Sequence, residues 1–539
     1  MPPAITSYWQ TGRVNRQAAC RPLRRRLFAL VALSIALYGG HAAVADPLPP
    51  NRIQQENALP GDPSWLPGGT SSNPAVGQLE GYASPVSVNV GEAVRFYAST
   101  LDPTFTATIY RLGWYGGAGA RKMTETGGFV GSYHHNDVHA DPATGLVEAR
   151  DWPNFHTMTI PAHWTSGIYV ARLLSDGAVT GSPHLAYIVF VVRDDHRAAD
   201  FAFQSSVNTN QAYNNWGGKS LYGANSVGGV PAVKVSLNRP NAVGPWGLGD
   251  FVHWELNLLR FMEKEGYDVT YLTNIDTQRN GHFLRRHKAF LSVGHDEYWT
   301  TEMRQNVEVL RNLGIHLGFI GSNVCYWQIR YEDSPYTGEP YRTIVAYKEA
   351  AATADPFALD NNPTNDFAIT TRWRDTLLGH VANPEDKLLG VKAHAALANQ
   401  SASLPLHITV PVDPMYHWVF NGTGLAPGGT ALLWGLLGYE TDSATDKDSA
   451  PPAGTTILAH SPDPGGHANM TIYQWDRGWN FWGPGARVFA TGTMNWTHGL
   501  DSTAPAETQF NHPVAKQITR NIFNCFAGTG PCETAPPSP

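Results

Sequence analysis

Between Phe201 and Ile320 short apolar runs alternate with stretches of helical period, and few folds accommodate that alternation. Phe201 to Ser205 reads as a strand, Trp254 to Glu265 as a helix closed by Gly266, and Asp268 to Leu272 as a strand. A short helix near Thr277 to Arg286 follows, then the strand Ala289 to Val293, a helix from Thr301 to Leu313 and the strand Leu317 to Ile320. Strands joined through helices run parallel, and right-handed crossovers then cover both faces of the sheet. The expectation is a doubly wound α/β domain. Less regular apolar runs at Thr430 to Leu437, Met470 to Trp475 and Arg487 to Ala490 extend it.

The segment before it has a different period. Val86, Val88 and Val90 alternate, Gly91-Glu92 makes a turn, and Val94, Phe96 and Ala98 alternate again. Phe105 to Tyr110, Ile168 to Val170 and Ala186 to Val192 continue the series, which predicts an N-terminal all-β domain, a β-sandwich of immunoglobulin type. Asp194-Asp195-His196-Arg197 breaks the pattern. Arg111 to Gly117, rich in Gly and aromatics, reads as a bend packed over the sandwich edge, with a ligand-binding loop as the other reading.

Arg24-Arg25-Arg26, the apolar run Leu27 to Leu37 and Ala43-Val44-Ala45 make a positive, greasy, small-residue series that predicts a secretory signal cleaved after Ala45. The expected organisation is a signal over 1–45, a Pro-rich leader over 46–76, the sandwich over 77–195, the α/β domain over 196–527 and a tail over 528–539. The apolar run is short for a bilayer span, so the protein is expected to be exported, with no stable membrane span once the signal is removed. A formal net charge of -7, with no long basic patch past the amino terminus, removes the electrostatic footprint of a nucleic-acid binder. Cys525 and Cys532 can close a small loop in an oxidising compartment, whereas Cys325 reads as a buried small hydrophobe.

Three polar-aromatic stretches follow three of the parallel strands: Thr209 to Gly218 with Tyr222 beyond it, Gly294-His295-Asp296-Glu297-Tyr298-Trp299, and Gly321-Ser322-Asn323. Parallel strands put their carboxyl ends on one edge, where Tyr213 or Tyr222, His295, Glu297 and Asn323 can converge. Gly294 to Trp299 is expected as an exposed turn at the centre of the site. It holds no Cys or Ser, which disfavours a nucleophile elbow. Glu and Tyr oxygens form a hard ligand set, and phenolate favours a strongly Lewis-acidic ion such as ferric iron over zinc.

At these residues the chain resembles the large (beta) subunit family of N,N-dimethylformamidase. The resemblance runs from about Tyr82 to the carboxyl terminus. Its most specific part is Gly294 to Trp299; Ala212 to Gly218, Gly321 to Asn323 with Tyr326-Trp327, Tyr347-Lys348, Tyr110 to Gly117 and Gly485 to Gly492 also fit. The resemblance implies a β-sandwich joined to an amidotransferase-like α/β domain, and hydrolysis of a small amide with mononuclear iron held by two Tyr and one Glu. By resemblance Glu297 and Tyr213 are metal ligands, and His295, Asn323 and Lys348 are catalytic residues near the iron. Tyr222 is the candidate second Tyr, since no Tyr stands at Trp254 to Leu256, where a ligand from the start of the following helix would fall. The expected function is an exported, iron-dependent hydrolase of small amide C–N bonds, alone, as a homo-oligomer or with a small partner subunit. The rival reading is a secreted non-catalytic binding protein using the sandwich and a degenerate α/β groove.

Overall fold

The structure, a computed structural model, describes residues 49–66, 70–73, 76–377, 379–396, 404–463, 466–476, 485–501 and 510–532. The expected signal segment and most of the tail lie outside these residues. The described residues from Pro50 onward form one compact unit of mixed helix and sheet built on several sheets. Among the described residues no helix is long and apolar enough to cross a membrane.

In the first part of the chain, strand alternation gives each sheet one apolar face. Leu79–Ser84, Ala93–Thr100 and Asn154–Thr159 form an antiparallel three-stranded sheet. A larger sheet contains Thr104–Leu112, Ala120–Val130, Gly167–Ser175 and His184–Arg193. Val94, Phe96 and Ala98 from the first sheet and Phe105, Ala107, Ile109, Ala171, Leu173 and Phe190 from the second share one core. Burying each large side chain there contributes about 1.5–3 kcal/mol.

The central sheet begins with β1 (Phe201–Ser205), β2 (Val269–Thr273), β3 (Ala289–Val293), β4 (His316–Ile320) and β5 (Arg487–Ala490). These run parallel in the spatial order β2-β1-β3-β4-β5, and four antiparallel strands, Gly466–Gln474, Thr456–Asp463, Pro405–Thr409 and Thr430–Trp434, extend the sheet past β5. The strands are apolar on both sides because the sheet is covered on both sides. Phe201, Phe203, Ala289, Leu291 and Val293 face one core with helix α1 (Leu256–Glu265); Ala202, Phe290, Leu317 and Phe319 face another with helix α2 (Thr301–Asn312). Strand order reverses between β1 and β3, and a sheet of this kind opens a crevice at the carboxyl ends of such a pair.

An ion pair joins the early strands to α1. Arg111, fully buried, donates to both oxygens of Glu263 at 3.0 and 2.7 Å, and Glu263 also accepts from Tyr271 and Asn57. The Arg111 to Gly117 bend therefore packs, with Tyr115 buried and its hydroxyl donating to Glu56.

Two expectations need correction. The helix placed near Thr277 to Arg286 is two short helices, Asn274–Arg279 and Gly281–Leu284. A capping box between Thr273 and Asp276 starts the first one earlier, because the Asp276 side chain takes up the otherwise orphaned Thr273 N–H. The Gly294 to Trp299 stretch is also no exposed turn: His295 to Trp299 are all buried, and Tyr298–Thr300 forms a strand. That strand pairs in parallel with Trp327–Glu332 in a second, smaller sheet, whose Trp327 lines the cavity described below.

Candidate active site

Two glycines let β3 and β4 end close enough together to build the site. Gly294 has φ 74°, and a Cβ on it would meet Trp254 Cβ at 2.8 Å; a Cβ on Gly321 would lie 2.0 Å from the Gly294 carbonyl. The chain beyond Gly294 is then fixed by Asp296, whose carboxylate accepts from Gln204, Asn274 and Ser292 at 2.6 to 2.8 Å. Asp296 thus anchors the stretch under the sheet. Glu297 points the other way, and Thr209 Oγ1 accepts from its backbone N–H at 2.9 Å.

Tyr213 ends the helix Val207–Tyr213 that follows β1, and Tyr222 lies in the loop beyond. Asn225 Nδ2 donates to the Tyr213 carbonyl, and Ser226 Oγ to the Tyr222 carbonyl, so the two aromatics are held by one loop. Their rings stack with centroids 4.2 Å apart. Both hydroxyls reach the Glu297 carboxylate: Tyr213 donates at 3.1 Å, and Tyr222 lies 3.1 and 3.0 Å from its two oxygens. The Tyr298 hydroxyl is 2.6 Å from that of Tyr222.

His295 Nε2 lies 2.8 Å from Glu440 Oε2 and 3.4 Å from Glu297 Oε2, at ion-pair distance from both. The approach lacks the angle of a hydrogen bond. Burial disfavours a charged ring here, but Glu440 and Glu297 outweigh it and push the His295 pKa up to about 9. Burial raises the Glu297 pKa, with His295 opposing and Glu440 adding to the rise. Burial and then the Glu297 charge hold both phenols far above their ordinary range.

Asn323 follows β4 with φ 54°, a left-handed conformation stabilised where its N–H donates to Asp442 at 2.7 Å. Its Nδ2 donates to Glu440 at 3.2 Å, and its buried Oδ1 has no partner among the described residues. Lys348 sits behind Tyr222: its Nζ is 3.4 Å from the ring centroid and donates to the Leu221 carbonyl at 2.9 Å. Burial, opposed by Glu297, pulls its pKa down to about 8. Cys325, two residues after Asn323, is buried and free in the core shared with α2, and burial keeps its thiol protonated.

All six residues singled out in the sequence therefore gather at the carboxyl ends of β1, β3 and β4. Tyr213, Tyr222, Glu297 and Asn323 line a cavity of about 370 Å³, with Tyr326, Trp327, Arg372, Arg374, His394 and Glu440 among its other walls. Sequence reasoning missed Glu440, which arrives on the strand Glu440–Ser443, and the two arginines, which come from irregular chain after Ile369. Their only sequence signal was charge in loops, which is common on any surface.

On the cavity wall two phenol oxygens, Tyr213 and Tyr222, each stand 3.0 to 3.1 Å from the Glu297 carboxylate, which makes a set of hard oxygen donors. This is a spacing that neighbouring ligands of one small ion adopt, so the residues present fit a hard Lewis-acidic metal. Among the described residues no group of three or more His, Cys, Asp or Glu side chains could hold a metal ion; the donors here are phenols with a single carboxylate.

The family described as N,N-dimethylformamidase beta subunit-like, C-terminal, matches residues 106–511. No curated protein matches the chain. Among solved structures, the mmIFT52 N-terminal domain shares 9% identity over 49% of this chain and 86% of that one, with a TM-score of 0.24. A family 123 glycoside hydrolase from Clostridium perfringens shares 9% identity over 50% of this chain and 48% of its own, with a TM-score of 0.10. Likenesses this distant carry no weight for fold or function.

Proposed function

The chain belongs to the N,N-dimethylformamidase beta subunit-like family, and on that premise we propose that it is an exported, iron-dependent hydrolase of small amide C–N bonds. The observation that carries this reading is the meeting of the Tyr213 and Tyr222 hydroxyls on the Glu297 carboxylate at the wall of a cavity.

Tyr213, Tyr222 and Glu297 would hold the ion. When bound, iron supplies Lewis acidity that polarises an amide carbonyl and acidifies water. Hydrolysis joins a water oxygen to the acyl carbon, breaks the C–N bond and delivers a proton to the amine nitrogen. We assign that proton to His295, whose Nε2 lies between Glu440 and Glu297 and would pass it through these two cavity-lining carboxylates. Asn323 offers an amide to the developing oxyanion, a contribution of about 3 kcal/mol for a well-placed donor. Lys348 acts through Tyr222, its charge above the ring favouring the ionised phenol that a metal requires.

The bond between Cys525 and Cys532 supports export, since such bonds persist in oxidising compartments. We read the paired sheets over 77–195 as the immunoglobulin-like sandwich and 196–527 as the amidotransferase-like domain; the spatial order β2-β1-β3-β4-β5 supports the second part. The test is elemental analysis of the purified protein with an assay of amine release across formamides and small amides. Stoichiometric iron, a visible tyrosinate-to-iron absorption band and turnover are expected; amine release from metal-stripped protein would remove iron from the reaction.

A further inference from the structure

The cavity above Glu297 is acidic at depth and basic at its mouth. Glu297 and Glu440 have side chains 4% and 11% exposed, whereas the Arg374 and Arg372 side chains are 24% and 41% exposed. Each arginine has an acid of its own, yet neither acid lines the cavity. Arg372 is held through Nε and Nη2 by Asp375, both at 3.0 Å. Arg374 is held through the same two nitrogens by Glu385, at 3.2 and 3.0 Å, and its Nη2 also donates to the Ala393 carbonyl. Gripped on one edge, each guanidinium is fixed in orientation; Arg372 also bonds the Tyr326 side chain, and Arg374, 5.1 Å from the Tyr326 ring centroid, keeps Nη1 outside the bonds to Glu385 and Ala393. His394 beside them is paired with Asp446, which likewise stays off the cavity wall.

Size points the same way. The cavity, about 370 Å³ and walled by twelve residues, has room beyond a formamide of a few heavy atoms. Tyr326 and Trp327 supply an aromatic wall between the two charged regions.

We infer that the substrate is an amide carrying a carboxylate, of the N-acyl amino acid class, with its amide carbonyl at Glu297 and its carboxylate on Arg372 and Arg374. The inference rests on the amide-hydrolase reading above. The Nη1 edge that Arg374 keeps outside its bonds to Glu385 and Ala393, with the charge of both fixed guanidinium groups, favours a carboxylate over a neutral carboxamide. Hydrolysis then releases a carboxylic acid and a free amino acid, with water the only co-reactant.

The experiment compares N-formyl-leucine with N-formyl-leucinamide, using the iron-loaded full chain and its R372Q, R374Q and R374K variants, each checked by thermal melting. The free acid is expected to exceed the carboxamide in kcat/KM by about tenfold, the effect of one hydrogen bond to a charged group. That ratio should fall toward one in R372Q and R374Q, and R374K, which keeps charge without the fork, should recover part of it. Turnover of both compounds at equal kcat/KM, or a ratio that survives in the arginine variants, overturns the subsite and leaves the hydrolase reading standing. If no amide is turned over, the hydrolase reading fails, and calorimetric binding of the same two compounds decides the subsite: arginine-dependent preference for the free acid supports it, and equal or no binding overturns it.

Discussion

Arg239 is 1% exposed, has no acidic partner among the described residues, and directs its donors at the loop that carries Tyr213: the carbonyls of Gln211, Asn214 and Lys219 at 2.9, 2.8 and 3.0 Å, the Gln211 side chain at 3.2 Å and the Trp216 carbonyl at 3.5 Å. The three short bonds, each worth about 1.5–3 kcal/mol from a charged donor, amount to roughly 5–9 kcal/mol. Against this, burial pulls the Arg239 pKa down to about 9, equivalent to about 5 kcal/mol for holding the charge away from water. The net contribution to global stability is therefore small, about 0–4 kcal/mol. For a compact unit of this size, unfolding entropy of about 2.1 cal/mol/K per residue makes that a Tm loss of roughly 4 °C or less in R239M. The loop itself fares worse, because its carbonyls must find water, and Tyr213 Oη then loses its fixed place 3.1 Å from Glu297. A displacement near 1 Å costs on the order of 100-fold in turnover. The assay is amine release, with thermal melting and hydrogen exchange of residues 211–219, and R239K as a partial rescue. Wild-type turnover and protection in R239M, or a Tm loss of 10 °C or more, would refute this balance.

Replacing Glu297 by Gln keeps the size but removes the ligand charge, so iron content and activity should vanish together while the melting curve stays in place; full amine release in E297Q would exclude Glu297 from the reaction. His287 is buried, with Nε2 2.7 Å from Thr270 Oγ1, and burial lowers its pKa to about 4. The unfolded chain takes up that proton near pH 6.5 and the folded one does not. His287 should therefore cost up to about 3 kcal/mol of stability as pH falls from 6.5 to 4, and H287Q should flatten the acid limb of a urea-denaturation series. Glu255 works in the opposite direction: burial raises its pKa to about 8, and its Oε2 has no partner among the described residues. Stability associated with the protonated acid is full below pH 4.5 and lost as pH rises to 8, so E255Q should raise Tm at pH 8.5 relative to wild type and change it little at pH 4.5.

Local sequence determined the elements that carry the site. Phe201–Ser205 and Ala289–Val293 were legible to the residue because a strand buried on both faces is mostly apolar on both, Phe201 to Phe203 and Ala289 to Leu291 here, and such runs need no distant partner to be recognised. The convergence of Tyr213, Glu297 and Asn323 also followed from topology alone, since parallel strands place every following loop on one edge. What sequence left open was contact. That Asp296 anchors while its neighbour Glu297 faces the cavity depends on Gln204 and Asn274, which belong to other elements. Tyr222 meets Glu297 only because Ser226 and Lys348 position its loop. Glu440 and the arginines at the cavity mouth reach the site from chain without regular period, and Gly294 to Trp299 is buried because Trp327–Glu332 closes over it. Hydrophobic period reports which face of an element turns inward; which polar groups then meet is set by packing between segments far apart in the chain, and only the tertiary structure decides that.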